Sequence, residues 1–399
     1  MSKEKNKSGD LPLSHKDETF TQLAEWFPEL LLLVTDVVIL GVYDHADKIA
    51  GASVAAIMLG AVARLVRSLT SVSTKLAQAD SANRRELLSL NYIFGGIGVV
   101  LALMLLLLSA YIEKWVGLPG ISDYLLFAAP ASMLMRVSGV SYIALGVFQK
   151  KVKARIIMAW CLCLSNIALT LWLVPKMGVS GASLGMLLAD VIPAVFVIYW
   201  AHSSRCLTTP KWRLAPFVWK NAKRKLLSDI PGLVNSGVAV VLNRWLGPEQ
   251  ALVWTLSHVS CDFVGLIALS VWDVASKHFT YNINDRTLGE SCWAWGDRLA
   301  MSITGIGVCV SGFVTPMAPM LVLSYCLSKR WSYEAQKYAT TIGFNRDANG
   351  KLARCTCCIV GYMILVSHVA PSVWGATAVY CCSCVAQWFA MRETYELKR

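Results

Sequence analysis

Tyr92-Ile-Phe-Gly-Gly-Ile-Gly-Val-Val-Leu-Ala-Leu-Met-Leu-Leu-Leu-Leu-Ser-Ala-Tyr111 carries no charged side chain. A lipid hydrocarbon core about 30 Å thick is crossed by roughly 20 such residues in helical form. Inside lipid the backbone must satisfy its own hydrogen bonds, and a run this long exceeds a barrel strand, so it reads as a membrane-spanning helix. The whole chain agrees: 399 residues, 56% hydrophobic and 16% charged, with mean hydropathy +0.52. A soluble domain carries about 25% charged residues, so that class is excluded.

Outward from this run, further apolar stretches recur along the chain. The predicted spans are Leu23–Tyr43, Ala50–Leu69, Leu88–Tyr111, Ile121–Phe148, Ile156–Val174 and Ser180–Ala201. After a basic linker come Leu227–Leu246, Ala251–Ser276, Leu299–Ser328, Leu352–Ala370 and Ser372–Ala390. The fold class is therefore an all-α polytopic membrane protein with about eleven transmembrane helices, ten to twelve allowing for uncertain span ends.

The formal charge of +12 sits between the apolar runs and sets topology rather than binding nucleic acid. Lys75, Arg84 and Arg85 follow the second span. Lys150, Lys151, Lys153 and Arg155 follow the fourth. Arg205, Lys211, Arg213, Lys220, Lys223, Arg224 and Lys225 follow the sixth. The alternate loops, such as Tyr43–Ala50 and Pro175–Lys176, are short and nearly neutral. The even loops and the N-terminus are thus expected in the cytoplasm of a multi-pass protein of the inner or plasma membrane. Residues 1–22 hold no cleavable apolar segment and read as a cytoplasmic tail. The thirteen cysteines lie mostly in apolar segments and read as buried small hydrophobes. Trp115, Trp212, Trp219 and Trp331 fall near span ends, where indoles favour the lipid–water boundary.

Residues 202–226 form the basic cytoplasmic linker between an N-terminal six-helix bundle, 23–201, and a C-terminal bundle, 227–399. Short internal matches suggest pseudo-symmetric halves. Val179-Ser-Gly-Ala-Ser183 opens the sixth span and Val373-Trp-Gly-Ala-Thr377 the last. Val72-Ser-Thr-Lys75 ends the second span and Val274-Ala-Ser-Lys277 the eighth. Duplicated halves around a central site are a common transporter design.

The first span reads Thr35-Asp-Val-Val-Ile-Leu-Gly41, and Ala46-Asp-Lys-Ile-Ala-Gly-Ala52 leads into the second. Val72-Ser-Thr-Lys-Leu-Ala-Gln-Ala-Asp80 leaves it, followed by Gly146-Val-Phe-Gln149, Asn166 and Gly178-Val-Ser-Gly-Ala-Ser183. In this order the segments resemble the MATE family of multidrug and toxin exporters, which sits in a wider group with flippases for lipid-linked oligosaccharides. The resemblance covers residues 20–200 well, 225–300 moderately, and little beyond Ser328. It implies twelve helices, six per half. Here Arg330 to Arg354 is too polar to span, so the second half is expected to lack one helix.

An ionised carboxylate in mid-membrane is costly and functional by default, and Asp36 lies near the centre of the first span. The resemblance implies that Asp36 couples transport to a proton or sodium ion, assisted by Asn166. The family often carries a second Asp four residues after that Asn; here the position is Thr170. Asp190 in the sixth span is the candidate to supply the missing acid. With one carboxylate fewer, proton coupling is favoured over sodium. Glu29 stands two turns before Asp36 and either lines the same cavity or faces the interface. Asp262 and Asp273 are second-half counterparts, Asp273 close to solvent.

Arg64, Arg67 and Arg136 also lie within spans. Arginine avoids lipid, so they are expected to face a wet cavity, to pair with Asp36 or Asp190, or to snorkel to the interface. A cationic cavity suits an anionic lipid-linked saccharide. Cys355-Thr-Cys-Cys358 and Cys381-Cys-Ser-Cys384 have zinc-like spacing but differ in depth by about 12 Å, so helix packing is the better reading. No phosphate loop, HExxH or nucleophile elbow is present in the sequence.

The expected function is an ion-coupled antiporter, not an enzyme, exporting small organic compounds by alternating access. The alternatives are a flippase for an anionic lipid-linked saccharide and a degenerate relative that no longer transports. The expected partners are the bilayer and a small-molecule or lipid-linked substrate, with no nucleic acid. The chain is expected as a monomer without a cofactor beyond the coupling ion.

Overall fold

The computed structural model describes residues 39–80, 82–149, 152–210 and 212–220, with isolated positions from 222 to 389. The body of the first span, the polar stretch Arg330–Arg354 and most of the second half lie outside the described residues. So do Glu29, Asp36, Asp262, Asp273 and the Cys355–Cys358 group.

Helix dominates and no strand occurs among the described residues. Five described helices are long and apolar enough to cross a membrane. They correspond to the second to sixth spans, as expected for a polytopic α-helical membrane protein. The second-span helix runs Ala46–Ala79, the fourth Ile121–Gln149, the fifth Val152–Met177 and the sixth Val179–Ser203.

Three local readings change. The second-span helix continues ten residues past Leu69, through Thr-Ser-Val-Ser-Thr. Thr70, Ser71, Ser73 and Thr74 bond back to carbonyls three or four residues earlier, so these hydroxyls need no water while the helix goes on. Pro175 does not form a loop but lies inside the fifth-span helix, which ends at Met177. The charge-free run around Leu105 is not one helix either. Arg84–Ser89 leads into Asn91–Leu107, and Ser109–Val116 follows a break at Leu108. The break lets Glu113 accept the N–H of Ser122 at 2.8 Å, at the start of the fourth-span helix.

The apolar core is split in two. One cluster, with Leu59, Leu125, Ala129 and Ala182, fills the half of the bundle near Asp44. The other, with Leu69, Leu88, Ala144 and Val197, fills the half near Lys75, Arg84 and Arg85, the basic end. The fourth-span helix packs extensively against the third and the sixth, and the sixth against the fifth. Arg84 and Arg85 lie over the Phe148 ring, 5.9 and 5.8 Å from its centroid, at the basic end.

Candidate functional site

Small residues bring the helices close enough to fix their register. A Cβ on Gly181 would lie 2.6 Å from the Leu173 carbonyl oxygen, and one on Gly185 would lie 3.1 Å from Thr170 Oγ1. The Gly-x-x-x-Gly pair therefore lays the sixth-span helix directly on the fifth, antiparallel. Continued along the helix, that register brings Asp190 level with Ser165 and Asn166.

The fourth-span helix has its own register against the sixth. The Ser180 hydroxyl donates to the Asp123 carbonyl at 3.4 Å, near the start of both helices. Both helices then run the same way. Ten residues on, about 15 Å deeper, Asp190 is level with Met133, between Ser132 and Arg136.

These residues fall in the gap between the two apolar clusters. Asp190 is 3% exposed, Asn166 1% and Thr170 0%. Thr170 Oγ1 donates to Asn166 Oδ1 at 3.4 Å, one helical turn away. The Arg136 guanidinium is within electrostatic reach of the Asp190 carboxylate. Ser132 Oγ and Asp190 Oδ2 are buried and make no hydrogen bond among the described residues. A buried polar atom in that state is a ready partner for a proton or a polar guest.

Two prolines add to the band. Pro193, three residues beyond Asp190, cannot donate to the Ala189 carbonyl, and Pro130 likewise leaves the Leu126 carbonyl without its helical partner. Each freed carbonyl sits within a turn or two of Asp190 or Ser132.

The arginines are placed unequally. The Arg136 stem lies against Gly98 of the third-span helix, where a Cβ would meet Arg136 Cγ at 3.0 Å and Val66 Cγ2 at 2.6 Å. Arg64 is half-buried and Arg67 exposed, on either side of Val66 and so at the same depth. Arg136, rather than Arg64 or Arg67, is the described arginine that faces Asp190. Asp36 and Glu29 lie outside the described residues.

Sequence reasoning missed Ser132, which carries no motif. It also missed Asp44, which it placed in a short loop. Asp44 Oδ2 accepts the Val179 N–H at 3.2 Å, and Lys48 Nζ lies 3.8 Å from Asp44 Oδ1. Gly178 permits this contact with φ +55, a conformation closed to other residues at its ψ of −133. The Gly-Val-Ser-Gly-Ala-Ser stretch carried that signal.

No family model matches the sequence, and no curated protein matches it. Solved structures do match over nearly the whole chain. The MATE multidrug transporter DinF-BH, solved as a complex with a small molecule, is 13% identical over 99% of each chain, with TM-score 0.66. The eukaryotic MATE transporter AtDTX14 is 15% identical over 96% of this chain and 97% of its own, with TM-score 0.65. The Vibrio cholerae MATE transporter VcmN in the bent form is 14% identical over 96% and 97%, with TM-score 0.58.

The class defined is a multi-pass α-helical membrane protein with a polar band buried across its first bundle. Its fold is that of the MATE transporters, as the order of the sequence motifs implied.

Proposed function

We propose that this chain is an ion-coupled transporter that exports small organic compounds by alternating access. The observation that carries the reading is the buried carboxylate Asp190, level with Asn166 and facing Arg136, at mid-depth in this fold. Protonating Asp190 removes its attraction for Arg136. The two helices then lose a reason to stay in one packing, and a bistable bundle can shift. Asp36 in the first span is the second coupling group on this reading. One carboxylate per helix, with Thr170 where a second acid is common in the family, supports a proton rather than sodium. The chain acts as a monomer in the inner or plasma membrane with its N-terminus in the cytoplasm, and it is not an enzyme.

A second reading has a specific observation behind it. Arg64, Arg67 and Arg136 share one depth, which suits an anionic lipid-linked saccharide moved by the same fold.

The test is efflux of a fluorescent cationic dye from cells lacking their own exporters. Uncoupler-sensitive efflux that Asp36→Asn and Asp190→Asn both lose supports the proton-driven exporter. No efflux from well-expressed wild type, with flipping of an anionic lipid-linked saccharide in vesicles, supports the second reading. Neither activity leaves the chain as a relative that no longer transports.

A further inference from the structure

Between His202 and Leu226 the chain carries seven Lys and Arg and no Asp or Glu. The structure gives this linker a definite seat. The Thr208 N–H donates to Ser89 Oγ at 2.9 Å, which ties the linker to the start of the third span. A short turn of 3-10 helix, Trp212–Leu214, then opens a helical stretch over 215–220 that is helical again at 222 and 223.

This helix has two faces. Val218 and Ala222 are buried in the apolar cluster of the basic end, and Leu214, Ala215 and Leu226 pack against it. That spacing is helical, so the inner face is fixed by burial. The outer face is exposed and holds Trp212, Arg213, Phe217, Trp219, Lys220 and Lys223. Trp212 is 69% exposed and Phe217 56%, and Lys223 Nζ lies 5.6 Å from the centroid of the Trp219 ring.

A helix facing water does not gain by exposing two indoles and a phenyl ring on one side. Indoles with lysines between them suit the headgroup level, where the ring rests on acyl chains and the ammonium reaches phosphate. The position fits: the sixth span ends at Ser203, and the helix is held against the ends of the spans at the basic end. Seven positive charges with no acid among them in the sequence select the sign of the lipid.

We propose that residues 212–226 form an interfacial helix that binds anionic phospholipid headgroups of the leaflet at the basic end. The proposal is independent of the transported substrate, since it requires only that the helices span a bilayer.

The experiment uses the full chain in phosphatidylcholine nanodiscs containing increasing phosphatidylglycerol. Native mass spectrometry reads the lipid retained after extraction. Wild type is expected to keep phosphatidylglycerol above its bulk fraction. The triple variant R213Q/K220Q/K223Q is expected to lose that preference, by up to about fivefold in affinity per charge removed. K220R/K223R keeps the charges and should keep the preference, which shows that the helix has not simply misfolded. Removing three tail charges with K3Q/K5Q/K7Q controls for net charge. Unchanged phosphatidylglycerol retention in R213Q/K220Q/K223Q overturns the proposal, and so does an equal loss in K3Q/K5Q/K7Q. If the wild type runs as an oligomer that the triple variant dissolves, with lipid retention unchanged, the face is a protein interface and the proposal fails.

Discussion

The carboxylate of Asp44 accepts the backbone N–H of Val179 at 3.2 Å, joining the residue after the first span to the first residue of the sixth-span helix. The two are far apart in sequence, yet a negative charge at a helix N-terminus is one of the cheapest ways to satisfy its orphan N–H groups. The same contact tethers the end of the helix that carries Asp36 to the helix that carries Asp190.

Asp44→Ala should therefore lower stability by about 1 kcal/mol, the usual loss for a capping side chain. Gly178→Ala should cost more, about 1–3 kcal/mol, because its positive φ strains any Cβ. Thermal unfolding in detergent checks both. Equal stability of Gly178→Ala and wild type would show that the contact does not hold the loop in this geometry.

Gly98→Ala tests the packing that positions Arg136. The added Cβ meets Val66 and the Arg136 stem, so an overpacking cost of about 1–3 kcal/mol is expected. If Arg136 matters for transport, Gly98→Ala also lowers transport at matched expression. Gly96→Ala, where a Cβ meets nothing nearby, is the control and should leave both unchanged.

Asp190→Asn removes one partner of a buried electrostatic pair and leaves Arg136 facing a neutral amide. Breaking such a pair commonly costs about 3–5 kcal/mol when both ions are fully buried; with Arg136 half-buried, a smaller cost is expected. Adding Arg136→Gln should recover part of it, so the double variant is more stable than Asp190→Asn alone. Additive losses in unfolding experiments would show that the two residues do not act on each other.

Asp80 gives a pH dependence at the basic end. The Asn83 side chain donates to it at 2.8 Å, and the N–H groups of Asn83 and Ala82 donate at 3.1 and 3.0 Å. These bonds hold its carboxyl below the ordinary value of 3.8, the Asn83 side chain most strongly, against a weaker opposing effect of desolvation. A depressed folded-state value stabilises the fold above pH 3.8, and that contribution is lost as pH falls through the lower, folded value. Asp80→Asn should thus show a shallower acid loss of melting temperature than wild type below about pH 4. An identical acid slope would sink the assignment.

Cys206 is buried beside the linker, and burial pushes its thiol up despite the nearby Arg85 charge. The thiolate is the reactive form, so a maleimide reagent should modify Cys206 slowly at neutral pH in the folded protein and rapidly after unfolding. Peptide mass shifts read the rate. Fast labelling of the native chain would mean that the linker does not pack as described.

What the amino-acid order determined is the class of the molecule. Runs such as Tyr92–Tyr111 leave the backbone one way to satisfy itself in lipid, so helices followed from composition and length. The order of the motifs from Asp36 to Ser183 also pointed to the right fold. Helix ends were less legible: Leu108 breaks an apolar run that has no polar marker, and Thr70–Thr74 continues a helix through hydroxyls that often end one. Asp190, Asn166, Thr170 and Arg136 were each visible as unusual residues within spans. That Asp190 is level with Asn166 and faces Arg136 was decided only by tertiary structure. Register between helices is set by which residues are small enough to let backbones touch, and Gly181, Gly185 and Gly98 carry that information only once their partners are known. Asp44 and Val179 make the same point, since a hydrogen bond joining loops so distant in sequence depends on how the bundle folds between them.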